Sequence, residues 1–464
     1  MGTERYGIFV VFSGIVGLAN LLNSGTPYAL MRSVPWHRAR SDDRAAARAV
    51  SSAIVISLLT GTVLAAALLF LGGPLVSVLH ISSPARSQAR SAVVAFAALV
   101  PIVVLSSVMS GLGRSARLYS VTGALDAAQV IALNIAWVVI SGRRHDLVEL
   151  AWAQVIIAAV LVGIAASVIK RRRSWALRWI RPERASLREV AGFSARVSAG
   201  QLALGLLTTA DKPILGAILP VRLVAIYSIP FAFAMRITMV PSSLSSALVP
   251  PAAAAFAKGD FAQVVRLRHR AFSAVGIVAG ALSVGCVFAG PALFELWLGR
   301  NFAAAATPGL AALGIGFGVM SCGVIANALL DAAGVPGRAA AAMAVGSSIG
   351  LVLLIVLTLL LRTPVAASIG VAVGLTATGV VAIDQGRRIG EEVDRRQAFQ
   401  DVFGGWLALA LSAATVFLVC KWVDASAAAS LVVVGSAIAI VAARLLFSRF
   451  RGGPLGHERA VEAF

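Results

Sequence analysis

Thirteen apolar runs, each long enough to cross a lipid bilayer, fill most of this 464-residue chain and leave short connections between them. They cover about 6–22, 50–72, 91–112, 120–141, 149–169, 190–210, 224–249, 271–290, 306–330, 339–361, 364–386, 402–422 and 428–447. A hydrocarbon core roughly 30 Å thick takes about 20 helical residues to cross. It offers the backbone no hydrogen-bond partner, so a spanning segment is a helix or part of a closed barrel. A barrel would alternate apolar and polar residues over about ten positions, whereas these runs are continuously apolar. The expected fold is therefore all-α and integral to the membrane. Hydrophobic residues make up 59% of the chain, charged residues 13%, and mean hydropathy is +0.89, which leaves no room for a large soluble domain.

The formal charge of +20 does not point to nucleic acid, because Lys and Arg lie between apolar runs and form no contiguous patch with interleaved aromatics. They read as topology signals. Counted in alternate connections, with span edges included, they number 28 on one side and 10 on the other, and only Arg196 and Arg236 fall inside spans. The richer side holds the C-terminus, which is expected in the cytoplasm. Met1 to Arg5 lack the pattern of a signal peptide. Cys286, Cys322 and Cys420 lie in apolar runs without metal or redox spacing, and the five histidines are scattered, so no cofactor or metal is expected.

The chain repeats itself. Glu4 to Gly14 aligns with Ala225 to Met235 at an offset of 221, Asp43 with Asp260 at 217, and Gly113 to Arg117 with Gly334 to Arg338 at 221. An even number of spans separates equivalents, so the copies face the same way, as parallel repeats in carriers do. This predicts an N-terminal lobe over 1–188, a C-terminal lobe over 189–396, and two further helices with a tail over 397–464, the lobes enclosing a central cavity.

Four stretches carry a resemblance over nearly the whole chain: Glu4-Arg5-Tyr6-Gly7-Ile8-Phe9, Asn23-Ser24-Gly25, Thr209 to Gly216 (TADKPILG), and Leu296-Trp297-Leu298-Gly299 followed by an Ala-rich span to Gly334. With them the sequence resembles the polysaccharide flippases of the multidrug/oligosaccharidyl-lipid/polysaccharide exporter superfamily. That family's Tyr-Gly stretch follows a first helix, so the resemblance implies a fourteen-helix pattern whose first helix is missing here. Upstream in-frame coding sequence with a further apolar run is the expectation that follows. The resemblance also implies the substrate, an undecaprenyl-pyrophosphate-linked glycan moved across the cytoplasmic membrane by alternating access. Lipid and other polysaccharide-assembly proteins would be its partners, and catalysis is not expected.

An ionisable group within a span is costly, so it marks a candidate site. Arg236, deep in an otherwise apolar span, offers a fork suited to phosphate oxygens. The lipid II flippases that this chain resembles have an arginine at the corresponding place, five residues before the proline matched by Pro241. The alternative is a paired or snorkelling side chain. Arg196, beside Ser194, Ser198 and Gln201, is a second cavity cation or an interfacial residue. Asp126, with Gln129 and Asn134, is a partner for an arginine, a coupling-ion ligand or an interhelical hydrogen-bonding group. Asp211 and Lys212 match the family's motif, but their place at a helix end suggests a solvated local ion pair. Pro101, Pro230 and Pro241 suggest kinks. The glycines at 314, 316, 318, 370 and 374 suggest close helix packing. A small-molecule efflux antiporter and a membrane-embedded glycan ligase are the rival readings; the ligase lacks the large outer loop such chemistry needs.

Overall fold

A computed structural model describes residues 12–13, 16–17, 19–78, 83–143, 147–173, 175–209, 211–219, 221–389, 395–423 and 425–451. The Glu4–Phe9 motif, His80, His145 and His457 lie outside the described residues. The helices run in the order α1 (Gly25–Ala39), α2 (Asp43–Val78), α3 (Ser83–Ser115), α4 (Tyr119–Arg143), α5 (Leu147–Arg172), α6 (Arg184–Thr209), α7 (Asp211–Ile218) and α8 (Val221–Ala234). After a 3-10 turn (Met235–Thr238) come α9 (Met239–Lys258), α10 (Phe261–Phe288), α11 (Gly290–Leu298), α12 (Arg300–Ala332) and α13 (Pro336–Leu361). The chain continues with α14 (Pro364–Gly386), α15 (Arg395–Phe403), α16 (Trp406–Trp422) and α17 (Ala427–Arg451). Twelve helices among the described residues are long and apolar enough to cross a membrane, one for each expected span from the second to the thirteenth. The first expected span, 6–22, falls largely outside the described residues.

Two compact units emerge. The first comprises 1–202 together with the short segments 249–260 and 331–336. One of its apolar clusters joins Phe12, Leu68, Phe96, Val100 and Leu150, with Phe12 stacked on Phe96 at 5.4 Å. Another joins Leu30, Val50, Val108, Ile169 and Phe193. The second unit comprises 203–248, 261–330 and 337–464. In it α16 and α17 pack on α10 around Leu409, Ala413, Val434 and Ile438. Trp406 Nε1 donates to the Gly276 carbonyl at 2.7 Å, which fixes the entry to α16.

Helices in lipid gain little hydrophobic energy by associating, so they depend on close backbone approach. A β-carbon on Gly374 of α14 would land on the Gly350 backbone of α13, and one on Gly379 would strike the backbone at Val319 of α12. Gly316 of α12 meets Ala372 of α14 in the same way. The glycine pairs read from the sequence are thus helix contacts.

The repeat shows in the turns of the first unit. After α1, Ser41 at φ 60° donates to Arg38 O and Asp42 to His37 O, both at 3.0 Å. After α9, Gly259 at φ 70° donates to Phe256 O and Asp260 to Ala255 O at 3.2 and 3.0 Å. This is the same helix-ending motif at a constant offset of 218, which pairs Asp260 with Asp42 and corrects the expected match to Asp43 by one residue. Arg117, at φ 59°, matches Gly334, at φ 83°, with N–H groups directed to Arg114 O and Asp331 O. The offset there is 217, which corrects the expected alignment of Gly113 with Gly334 by four residues.

The connections after the first, third, fifth, seventh and ninth expected spans gather at one end of this unit. Arg173 Nε donates to Ala116 O at 3.4 Å, Ile180 N–H to Ser51 Oγ at 3.1 Å, and Arg48 pairs with Glu183 at 2.9 Å. Arg40 Nε donates to Ala257 O at 3.4 Å, and the Arg32 guanidinium lies against Gly334. Connections that alternate along the chain therefore share one end, as the charge count requires.

No atom lies within 4 Å of a β-carbon built on Gly259, so substitution there tests backbone strain alone. Gly259→Ala should lower stability by roughly 1–2 kcal/mol, while Ser41→Gly should leave it unchanged or raise it. The check is the thermal midpoint of each purified variant in detergent; equal midpoints for Gly259→Ala and wild type would contradict the turn assignment.

Candidate functional site

In the second unit one span is broken at its middle. Pro241 lacks an N–H and crowds the preceding turn, and the helix answers with the 3-10 turn Met235–Thr238, closed by the Met239 N–H on Arg236 O. Arg236 sits in that turn with an exposed side chain. No ion pair or side-chain hydrogen bond holds it among the described residues. A guanidinium in an apolar span without a carboxylate partner is a fixed cation with its donors available.

Asp211 departs from the expectation drawn for it. Its side chain is 0% exposed while that of Lys212 is 39% exposed, so the pair is solvated on the lysine side only. α7 starts at Asp211, and this places the carboxylate against α8. There Tyr227 Oη donates to it at 2.6 Å. Lys212 Nζ donates to both carboxylate oxygens at 3.2 and 3.3 Å and to Thr208 O at 3.4 Å, and it lies 4.1 Å over the Phe231 ring. Tyr227, Phe231 and Phe317 form an aromatic run behind it, with centroids 5.6 and 5.3 Å apart. Desolvation removes water from the carboxylate, and a tethered ammonium and phenol replace it. The physical reason for the miss is that a helix boundary in sequence says nothing of the neighbour that covers it.

In the first unit Asp126 of α4 pairs with Arg114 of α3 at 2.9 Å, with Ser110 Oγ 3.5 Å away. Further along α4, Gln129, Asn134 and Trp137 line an open cavity of about 360 Å³, with Gln154 of α5 opposite. Asn134 Nδ2 is turned back to Val130 O at 2.8 Å. Arg196 is exposed on α6 and donates to its own helix at Gly192 O, 2.9 Å away. Arg196 and Asp126 thus belong to the first unit, and Arg236, Asp211 and Lys212 to the second.

Sequence reasoning read Arg32 only as a topology anchor. Its side chain is half-buried between Trp36 and Phe193, 5.3 and 5.6 Å from the ring centroids, and 3.4 Å from Glu189. Burial lowers its pKa, and Glu189 works against that shift. Tyr227 and Arg114 were also missed as site residues. The signal for Tyr227 was its place in the repeated stretch that begins at Ala225. Among the described residues, no cluster of His, Cys, Asp or Glu has the makeup of a metal site.

Removing the phenol leaves a buried carboxylate short of one donor. Tyr227→Phe should therefore lower stability by roughly 1–3 kcal/mol, read as a drop in thermal midpoint in detergent. An unchanged midpoint would mean that Tyr227 does not support Asp211.

Comparisons with known proteins agree with this architecture. A crystal structure of a MATE point mutant superposes with a TM-score of 0.72 at 16% identity, covering 83% of this chain and 88% of that one. A multidrug resistance MATE family transporter of the MOP superfamily, in an outward-facing conformation, gives 0.70 at 15% identity over 84% and 88%. The Vibrio cholerae MATE transporter VcmN in its bent form gives 0.71 at 17% identity over 82% and 88%. At these identities the likeness establishes the fold. No curated protein matches the chain significantly. The family model described as polysaccharide biosynthesis protein matches residues 1–256, more than half of the sequence. The chain is a multi-pass membrane protein with a MATE-like fold, and it belongs to the polysaccharide biosynthesis protein family of the MOP superfamily.

Proposed function

We propose that this protein is a flippase that carries an undecaprenyl-pyrophosphate-linked oligosaccharide from the cytoplasmic to the outer leaflet of the cytoplasmic membrane. The observation that carries the reading is Arg236, a free guanidinium at the one 3-10 turn assigned within the described helices, in a chain of this family. A pyrophosphate esterified at both ends is a dianion whose oxygens match the guanidinium fork. In the first unit Arg196 is a further candidate cation for an anionic headgroup, and Asp126 is paired with Arg114. The lipid tail stays in the bilayer while the glycan crosses between lobes that alternate in access. The break between α8 and α9 gives a natural hinge for this motion. The C-terminus lies in the cytoplasm, on the side richer in Lys and Arg.

Efflux of a small apolar molecule is the second reading, favoured by the fold shared with multidrug carriers. The two readings differ in what accumulates when the protein is lost. In a strain lacking it, a completed lipid-linked oligosaccharide should build up on the cytoplasmic side, and wild-type protein should clear it. Arg236→Ala at equal abundance should clear at least tenfold less, and Arg236→Lys should fall between them. Mass spectrometry of the lipid-linked intermediates reads all three. Unchanged intermediates in the deletion strain would overturn the glycan reading.

A further inference from the structure

Asp331 is the most isolated carboxylate in the described structure. It is 5% exposed, and its Oδ1 is buried without a hydrogen-bond partner. No salt bridge or hydrogen bond to its side chain exists among the described residues. It lies in the last turn of α12, a 33-residue helix longer than the roughly 20 residues a bilayer core requires. There Asp331 begins the segment 331–336, which is docked within the first unit.

Two elements present charged or titratable groups to it. From α1 come Tyr28, half-buried and within electrostatic reach of Asp331, and Arg32, whose guanidinium lies against Gly334 three residues on. From α3 comes Arg114, also within reach of Tyr28 and the repeat-equivalent of Asp331 at an offset of 217. Both cations are already committed, Arg114 to Asp126 of α4 and Arg32 to Glu189 of α6. An ionised carboxylate with one oxygen enclosed in this way lacks a counter-charge and most of its water, and the group relieves that penalty by taking a proton.

We propose that Asp331 is a proton-binding site that links docking of the segment 331–336 onto α1 to the uptake of one proton. When the segment is docked, the carboxyl is neutral. When it lifts away, water reaches the carboxyl, and the proton leaves for solvent on that same side. The sign follows: a proton bound more tightly in the docked form favours docking at low pH, and the preference is lost as pH rises. One proton changes the docked-to-undocked ratio by at most tenfold per pH unit. The site adds pH control to the carrier and does not depend on the identity of the cargo.

The test is a distance measurement between nitroxide labels at Arg44→Cys and Val335→Cys, by pulsed electron resonance on the full chain in nanodiscs. The three buried cysteines are replaced by alanine, and no substrate is added. The docked distance should dominate at pH 5 and give way to a longer one toward pH 9. Asp331→Asn, fixed in the neutral form, should stay docked throughout, and Asp331→Glu should titrate again with a displaced midpoint. A pH-independent distance in the unsubstituted Asp331 background would overturn the proposal, as would an Asp331→Asn profile matching it.

Discussion

Lipid supplies no hydrogen bonds and no counter-ions, and nearly every feature of this protein answers that constraint. Backbone groups pair inside helices, and the helices meet where glycine lets two backbones touch, as Gly374 does with Gly350 and Gly379 with Val319. Charges are few, and most of those within helices find internal partners. Asp211 shows the rule: a fully enclosed carboxylate is answered by a phenol, an ammonium from the next residue and an aromatic face beneath that ammonium. A buried charge held this way is expensive to disturb, so the cluster anchors α7 against α8.

Against that background, two residues stand out because nothing answers them. Arg236 keeps its guanidinium free at the place where the helix itself is broken, so the candidate site and the break coincide. Prolines cause the break, and a carrier whose lobes must rock needs a span that bends where it meets its cargo. Asp331 is the converse case, a carboxylate enclosed where a turn of the second repeat docks beside α1 of the first. One is suited to hold an anion within the membrane, the other to sense protons at its edge.

Much of this was legible in the sequence, for physical reasons. Continuous apolar runs fix helix and membrane together, and twelve of the expected spans stand where their residues placed them. The repeat could be read because the same turn recurs: Ser41 and Gly259 both end a helix in the left-handed region. Its register slipped by four residues at Gly334, because a glycine was matched to Gly113 when the true counterpart is Arg117, a non-glycine in the glycine conformation. Tertiary covering was not legible. Asp211 was read as solvated because it opens a helix, while Tyr227, sixteen residues later, is what buries it. Asp331 fell one residue beyond an expected span, although α12 continues through it and leaves it 5% exposed.

The central claim is that the free arginine in the broken span serves a phosphate-linked glycan. Purified protein in liposomes, loaded with a fluorescent undecaprenyl-pyrophosphate oligosaccharide in the outer leaflet, tests it directly. A membrane-impermeant quencher then reports how much lipid has crossed. Protein-dependent protection of about half of the label, lost in Arg236→Ala and not competed by a lipophilic cation, is the result this account predicts. Protection equal to that of protein-free liposomes, together with uptake of the lipophilic cation, would contradict it and identify an efflux carrier instead.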